Sequence, residues 1–195
     1  MPVKKKAAKK KSAAKKEAVK PIAKKTPVKK TTKKAPFKNY QTRLKAGDKA
    51  PVFNGVDQDG KKISMADYRN KKLVLYFYPE DDTPTCTTQA CNLRDNYSLL
   101  RKKGIEITGV SKDGVAKHKK FEAKYHLPFR LIADEKHEVI DAYDVWGKKQ
   151  FMGKIYDGII RTTFLINEAG VIEQVINRPA TKSHAEEILE LWGLN

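Results

Sequence analysis

The first 36 residues contain no aromatic side chain, the first 42 no arginine and the first 45 a single acid, Glu17. A segment so poor in apolar bulk cannot bury enough surface to offset its conformational entropy, so residues 1–44 are expected to stay disordered until bound. With only Ser12 before residue 40, it also departs from the Arg- and Ser-rich make-up of organelle transit peptides. No run of about 18 apolar residues exists to cross a bilayer, and the start of the chain lacks the short apolar core of a secretory signal. Two cysteines make no disulfide framework, and no second cysteine pair completes a zinc site. The histidines His118, His126, His137 and His184 are scattered without ligand spacing, so no metal or other cofactor is expected. These absences favour a reducing intracellular setting: cytoplasmic and nucleoid-associated, or nuclear in a eukaryote.

What the first quarter does contain is lysine. Residues 1–45 carry 18 Lys and Arg for a net charge of +17, while the remainder has 23 basic and 22 acidic residues. The basicity therefore belongs to the tail, in the runs Lys4, Lys5, Lys6, Lys9, Lys10, Lys11, Lys15, Lys16, Lys24, Lys25, Lys29, Lys30, Lys33 and Lys34. Such a segment suits a polyanion such as DNA, bound without sequence preference and weakened by salt, because it offers no ring to stack on a base. A solubilising or targeting extension, or an anionic membrane surface, are the other readings.

Residues 45–195 read as one α/β domain. Lys72-Leu-Val-Leu-Tyr-Phe-Tyr78 has the apolar run of a central strand buried on both faces, ended by Pro79. The spacing Cys86, Ala90, Leu93, Tyr97, Leu100 predicts one helix, closed by Gly104, with Cys86 on its core-facing stripe. Ile105–Val110 is the next strand and 115–125 another helix, making a parallel βαβ unit. Ile159–Ile166 and Val171–Ile176 flank the turn Asn167-Glu-Ala-Gly170, a hairpin signal; a smaller hairpin is expected over 56–63 and an amphipathic helix over 182–192. The sum is a mixed sheet flanked by helices.

The chemistry centres on Cys86 and Cys91. Thr83 is expected to cap the helix and Pro84 to be its first residue, which sets Cys86 at the third helical position, where backbone N–H groups and the helix dipole favour a thiolate. Five residues apart on a helix, two Cα atoms lie about 8.6 Å apart. A disulfide spans no more than about 7 Å, so Cys86 and Cys91 can pair only if the helix unwinds between them. Free cysteines are equally suited to act as small apolar core residues, and that alternative stands on spacing alone. A Cys-His hydrolase would need an orienting third residue, and nothing marks out one of the four histidines. Arg161, opening an apolar strand, needs an anion beside it or a path to solvent. Glu80, Asp81 and Asp82 are expected to point to water, away from the thiol.

The pattern Pro79-x-x-x-Thr83-x-x-Cys86 resembles the active-site motif of the peroxiredoxins, and Tyr76-Phe-Tyr-Pro-Glu-Asp-Asp-Thr-Pro-Thr-Cys-Thr-Thr-Gln-Ala-Cys-Asn-Leu-Arg-Asp95 looks like their bacterioferritin comigratory protein, or peroxiredoxin Q, branch. The likeness continues through Val145–Gly153 and Tyr156–Ile166 and covers roughly 45–193. It implies a thioredoxin-like fold and a thiol peroxidase acting on hydrogen peroxide and organic hydroperoxides. Cys86 would be the peroxidatic cysteine and Cys91 the resolving one, recycled by thioredoxin or a similar dithiol. Thr83 would bond thiolate and peroxide, Pro79 would shield the thiolate and Arg161 would polarise both. The branch commonly has Gly where this chain has Thr85. Resolution within one chain requires no partner subunit, so a monomer is expected. A DNA-compacting protein on an inactive scaffold, or a peroxide sensor passing on its disulfide, are the competing functions.

Overall fold

The computed structural model describes residues 40–194. The tail lysines Lys4 to Lys34, and the expectation of disorder there, lie outside the described residues. In chain order the elements are β1 (Asn54–Val56), β2 (Lys62–Ser64), β3 (Lys72–Phe77), α1 (Pro84–Asp95), α2 (Tyr97–Lys102), β4 (Ile105–Ser111), α3 (Val115–Tyr125), β5 (Arg130–Ala133), α4 (Glu138–Ala142), β6 (Trp146–Phe151), β7 (Lys154–Ile159), β8 (Thr162–Ile166), β9 (Ile172–Ile176) and α5 (His184–Leu191).

Five strands form the central sheet in the order β5-β4-β3-β8-β9. β3 and β5 run parallel to β4, while β8 runs antiparallel to both β3 and β9, so the sheet is mixed as expected. The apolar run of β3 is buried on both faces because its period-2 alternation feeds two cores. Val74 and Tyr76 join Cys86, Ala90, Leu93, Leu100, Phe121 and Ile188 on one side. Leu73, Leu75 and Phe77 join Ile140, Tyr143, Phe164 and Ile172 on the other. The β8–β9 turn closes as its sequence predicts, with Gly170 at φ +75° and the Asn167 carboxamide oxygen accepting the N–H groups of Ala169 and Val171.

Four features differ from the expectations. The single helix from Cys86 to Gly104 is divided at Asn96, where ψ opens to 5° and the side-chain amide turns back to the Asn92 carbonyl at 3.0 Å. That local bond competes with helix geometry, as Asn side chains commonly do. The strand expected over Ile159–Ile166 is split at Ile160-Arg161, because Ile159 ends β7, paired to β6, whereas Thr162 begins β8 in the central sheet. The β6–β7 hairpin, β5 and α4 were not anticipated; β7 is largely exposed through residue 157, so burial leaves little periodic imprint on its sequence. Finally, residues 40–44, which composition groups with the tail, contact the domain. Tyr40 and Arg43 bond to Asp144, and Thr42 donates to the Tyr143 carbonyl.

Tight packing beneath the sheet is testable at Gly109 in β4. A Cβ there would stand 2.8 Å from the Tyr76 ring and the Leu131 side chain. Gly109→Ala is expected to lower stability by about 1–3 kcal/mol, read as a reduced denaturant midpoint at unchanged m-value.

Candidate active site

The site forms where β3 ends and α1 begins. Pro79 stops the strand, and Thr83 takes the extended backbone of an N-cap with Pro84 as the first helical residue. The expected side-chain cap is absent: the Thr83 hydroxyl donates to the Glu80 carbonyl at 3.0 Å and so folds the loop on itself. Cys86, at the third helical position, is 3% exposed; Cys91 is half-buried further along α1, and both are free thiols.

Arg161 reaches Cys86 from the junction of β7 and β8. Its Nη2 donates to Cys86 Sγ across 3.0 Å and its Nη1 to Gln89 Oε1. Among the described residues no carboxylate pairs with Arg161, and this part-buried guanidinium donates instead to the sulfur and to the Gln89 carboxamide oxygen. Cys86 and Arg161 thus meet, while Thr83 and Pro79 stand on the loop ahead of the helix, with the Thr83 hydroxyl turned to the Glu80 carbonyl.

Sequence reasoning missed three residues here. Gln89, fully buried on α1, holds the guanidinium: a guanidinium only donates, so Gln89 turns its oxygen to Arg161 and its amide nitrogen to His184 Nδ1, 3.0 Å away. His184 is thereby protonated at Nε2, which has no partner among the described residues. Burial, reinforced by the positive charge of Arg161, lowers its pKa to about 3 and keeps the ring neutral. Lys149 of β6 is the third. Burial and the charge of Arg161 push its pKa down, the Cys86 sulfur opposes that shift, and its ammonium donates to the Ile159 carbonyl at 2.9 Å. Gln89 and Lys149 carry no motif of their own, and His184 has no local signal apart from sitting at the start of a helix.

A cleft of about 360 Å³ opens over Arg161, lined by Thr85, Lys149, Ile160, Arg178 and Tyr40 among others. It gives a small polar molecule a route to the guanidinium. Among the described residues no group of three or more His, Cys, Asp or Glu side chains could hold a metal.

The three acids ahead of Cys86 do not point to water as a group. Asp81 is 3% exposed and bonded to Tyr78 Oη and His118 Nδ1, both at 2.7 Å. Glu80 pairs with Lys117 at 2.7 Å and Asp82 with Lys124 at 2.7 Å. Lys117 and Lys124 of α3 partly offset the charges of Glu80 and Asp82.

Residues 46–175 match the model of the AhpC/TSA family. The chain belongs to that family. Peroxiredoxin Bcp of Escherichia coli (strain K12) is 46% identical over 146 residues, 75% of this chain and 94% of the relative. Peroxiredoxin Bcp of Bacillus subtilis (strain 168) is 41% identical over 147 residues, 75% and 94% of the two chains. A mutant of Xanthomonas campestris peroxiredoxin Q superposes with a TM-score of 0.68 at 32% identity, covering 72% of this chain and 90% of that one. A mutant of Xylella fastidiosa PrxQ gives 0.72 at 29% identity, covering 78% and 98%. The thioredoxin-like fold is therefore that of the peroxiredoxins, and the enzyme is a peroxidase of that family.

His184 gives this peroxiredoxin an acid-sensitive core. From pH 6.5 down to about 3 the unfolded chain gains a proton at residue 184 that the folded chain excludes. Stability is thus fully present above the unfolded pKa and lost as pH falls below it, by up to about 1.4 kcal/mol per pH unit. Replacing His184 with Gln should flatten that acid limb, measured as unfolding free energy between pH 4 and 7.

Proposed function

We propose that Cys86 is the peroxidatic cysteine, Cys91 the resolving cysteine, and thioredoxin or a similar dithiol the reductant. The observation that carries this reading is the 3.0 Å contact from Arg161 Nη2 to Cys86 Sγ at the first turn of α1. The Cys86 thiolate attacks one peroxide oxygen, the O–O bond breaks, and water or an alcohol leaves after taking up a proton. Cys86 becomes a sulfenic acid. Arg161 offers positive charge to the sulfur and to the oxygens on which charge develops, and Lys149 adds a second cation near the cleft. Thr83 and Pro79, on the loop ahead of the helix, bond the peroxide and limit water at the sulfur. Cys91 sulfur then displaces the sulfenic oxygen as water, and the dithiol reduces the new disulfide by exchange. The mixed lining of the cleft suits hydrogen peroxide and organic hydroperoxides alike. All of these groups belong to one chain, consistent with a monomer.

The lysine tail is proposed to hold the enzyme beside DNA or another polyanion. If about eight lysines neutralise phosphates of duplex DNA, log affinity falls against log salt with a slope near −7.

In a coupled assay with thioredoxin, its reductase and NADPH, Cys86→Ser is expected to abolish hydroperoxide consumption. Cys91→Ser should lose it or come to depend on the thiol supplied. Full turnover by Cys86→Ser would reject the assignment. Removing residues 1–38, which leaves Tyr40 and Arg43 on Asp144, should abolish DNA retention at low salt and spare peroxide turnover; retention undiminished by the deletion would reject the tether.

A further inference from the structure

Resolution requires α1 to unwind between Cys86 and Cys91, and one neighbouring helix grips the chain on both sides of that segment. Ahead of it, successive acids of the active-site loop meet α3: Glu80 with Lys117, Asp81 with His118, Asp82 with Lys124 and with Tyr125 Oη. Beyond Cys91, Arg94 Nη1 donates to the Tyr125 carbonyl at 2.8 Å. His118 is the buried member of the set. Its Nε2 lies 3.0 Å from the Ile132 carbonyl, which can only accept, so that nitrogen carries a proton and the other ring nitrogen faces Asp81. The backbone N–H of Asp81 is also held, by Asp113 at 2.7 Å, and Asp113 bonds Lys117 in turn.

We propose that α3, through Lys117, His118, Lys124 and the Tyr125 carbonyl, clamps both ends of the redox segment and sets how often α1 opens to bring Cys91 to an oxidised Cys86. Two physical effects act in the same direction. Contacts that must break on opening stabilise the wound helix directly. Contacts that survive opening still fix the ends of the loop and restrict the conformations the unwound segment can sample, which disfavours that state. The clamp residues touch neither substrate nor sulfur, and they act as positioning residues. The proposal rests on the assignment of Cys86 and Cys91 as peroxidatic and resolving.

The consequence is a partition at the sulfenic acid. A wound α1 leaves Cys86–SO⁻ exposed to a second hydroperoxide, which transfers one oxygen to sulfur, giving the sulfinate, and leaves as an alcohol. An opened α1 lets Cys91 attack instead, with the S–S bond forming and the oxygen leaving as water. A tight clamp therefore favours overoxidation, and a loose one favours the disulfide.

The test is rapid mixing of the full-length reduced protein with cumene hydroperoxide. Tryptophan fluorescence follows a peroxide-dependent first phase and a peroxide-independent resolution phase, and mass spectrometry measures sulfinate at the end. Lys117→Gln combined with Lys124→Gln removes two solvent-exposed contacts and should accelerate the second phase about threefold while lowering sulfinate in proportion. His118→Asn, which disturbs the buried contact, should accelerate it roughly tenfold. Lys117→Arg with Lys124→Arg should return both readouts to wild type. Ile172→Val, in the core on the opposite face of the sheet, should lower the melting temperature without changing the second phase. Resolution unchanged or slowed in the folded Lys117→Gln/Lys124→Gln protein, with a normal first phase, would overturn the clamp alone. Absence of any peroxide-dependent phase in wild type would remove the cysteine assignment and the clamp together.

Discussion

A sulfur and a guanidinium, neither well hydrated, meet at the first turn of α1, and the surrounding structure makes that meeting tolerable. Arg161 stands at the change from the β6–β7 hairpin to the central sheet, and Cys86 at the change from strand to helix. Part-burying a guanidinium without an anion would be costly, and a buried thiolate without a cation would be protonated. A thiolate at Cys86 and the guanidinium of Arg161 would each supply the condition for the other. Gln89 fixes the plane of the guanidinium, and neutral His184 fixes the orientation of Gln89. A protonated imidazole beside Arg161 would have disrupted that chain, so burial of His184 also belongs to the electrostatics of the thiol.

Elements whose formation depends on near neighbours were the legible ones. Pro84 at the first helical position, Cys86 on the buried stripe, the double-sided burial of β3 and the Asn167–Gly170 turn all follow from short-range spacing. Contacts that join distant residues were not. Glu80, Asp81 and Asp82 read as a solvated charge run, yet each acid meets a different α3 side chain some 37 to 43 residues later. Charge in a sequence has no address until the chain folds. The division of the long helix at Asn96 depends on a bond of the side chain to its own fourth-preceding carbonyl, which competes with a pattern that still looks continuous. Lys149 is less legible still, because it lies in a hairpin whose exposed residues carry no burial period and reaches the site only through register with β7.

With Cys86 and Cys91 in the proposed peroxidatic and resolving roles, their placement on one helix sets two demands against each other. Attack by Cys86 would need α1 wound, because the wound helix sets Cys86 and Gln89 together on Arg161. On that reading turnover would need the same helix unwound, because the Cα separation of five helical residues exceeds what a disulfide spans. Stability added to the first turns of α1 would then favour the attack on peroxide and slow completion of the cycle. The helix has a cysteine, rather than a bulkier aliphatic residue, on its buried stripe at Cys86, and two threonines directly after it, Thr87 and Thr88. Neither choice maximises helix propensity or apolar contact. Restraint on such a segment comes from outside it, from the residues that hold its ends, where ion pairs and hydrogen bonds join the active-site loop and Arg94 to α3. Local weakness between the cysteines, set against tertiary restraint at the flanks, would let one helix serve both as a rigid thiol site and as the hinge of the proposed disulfide.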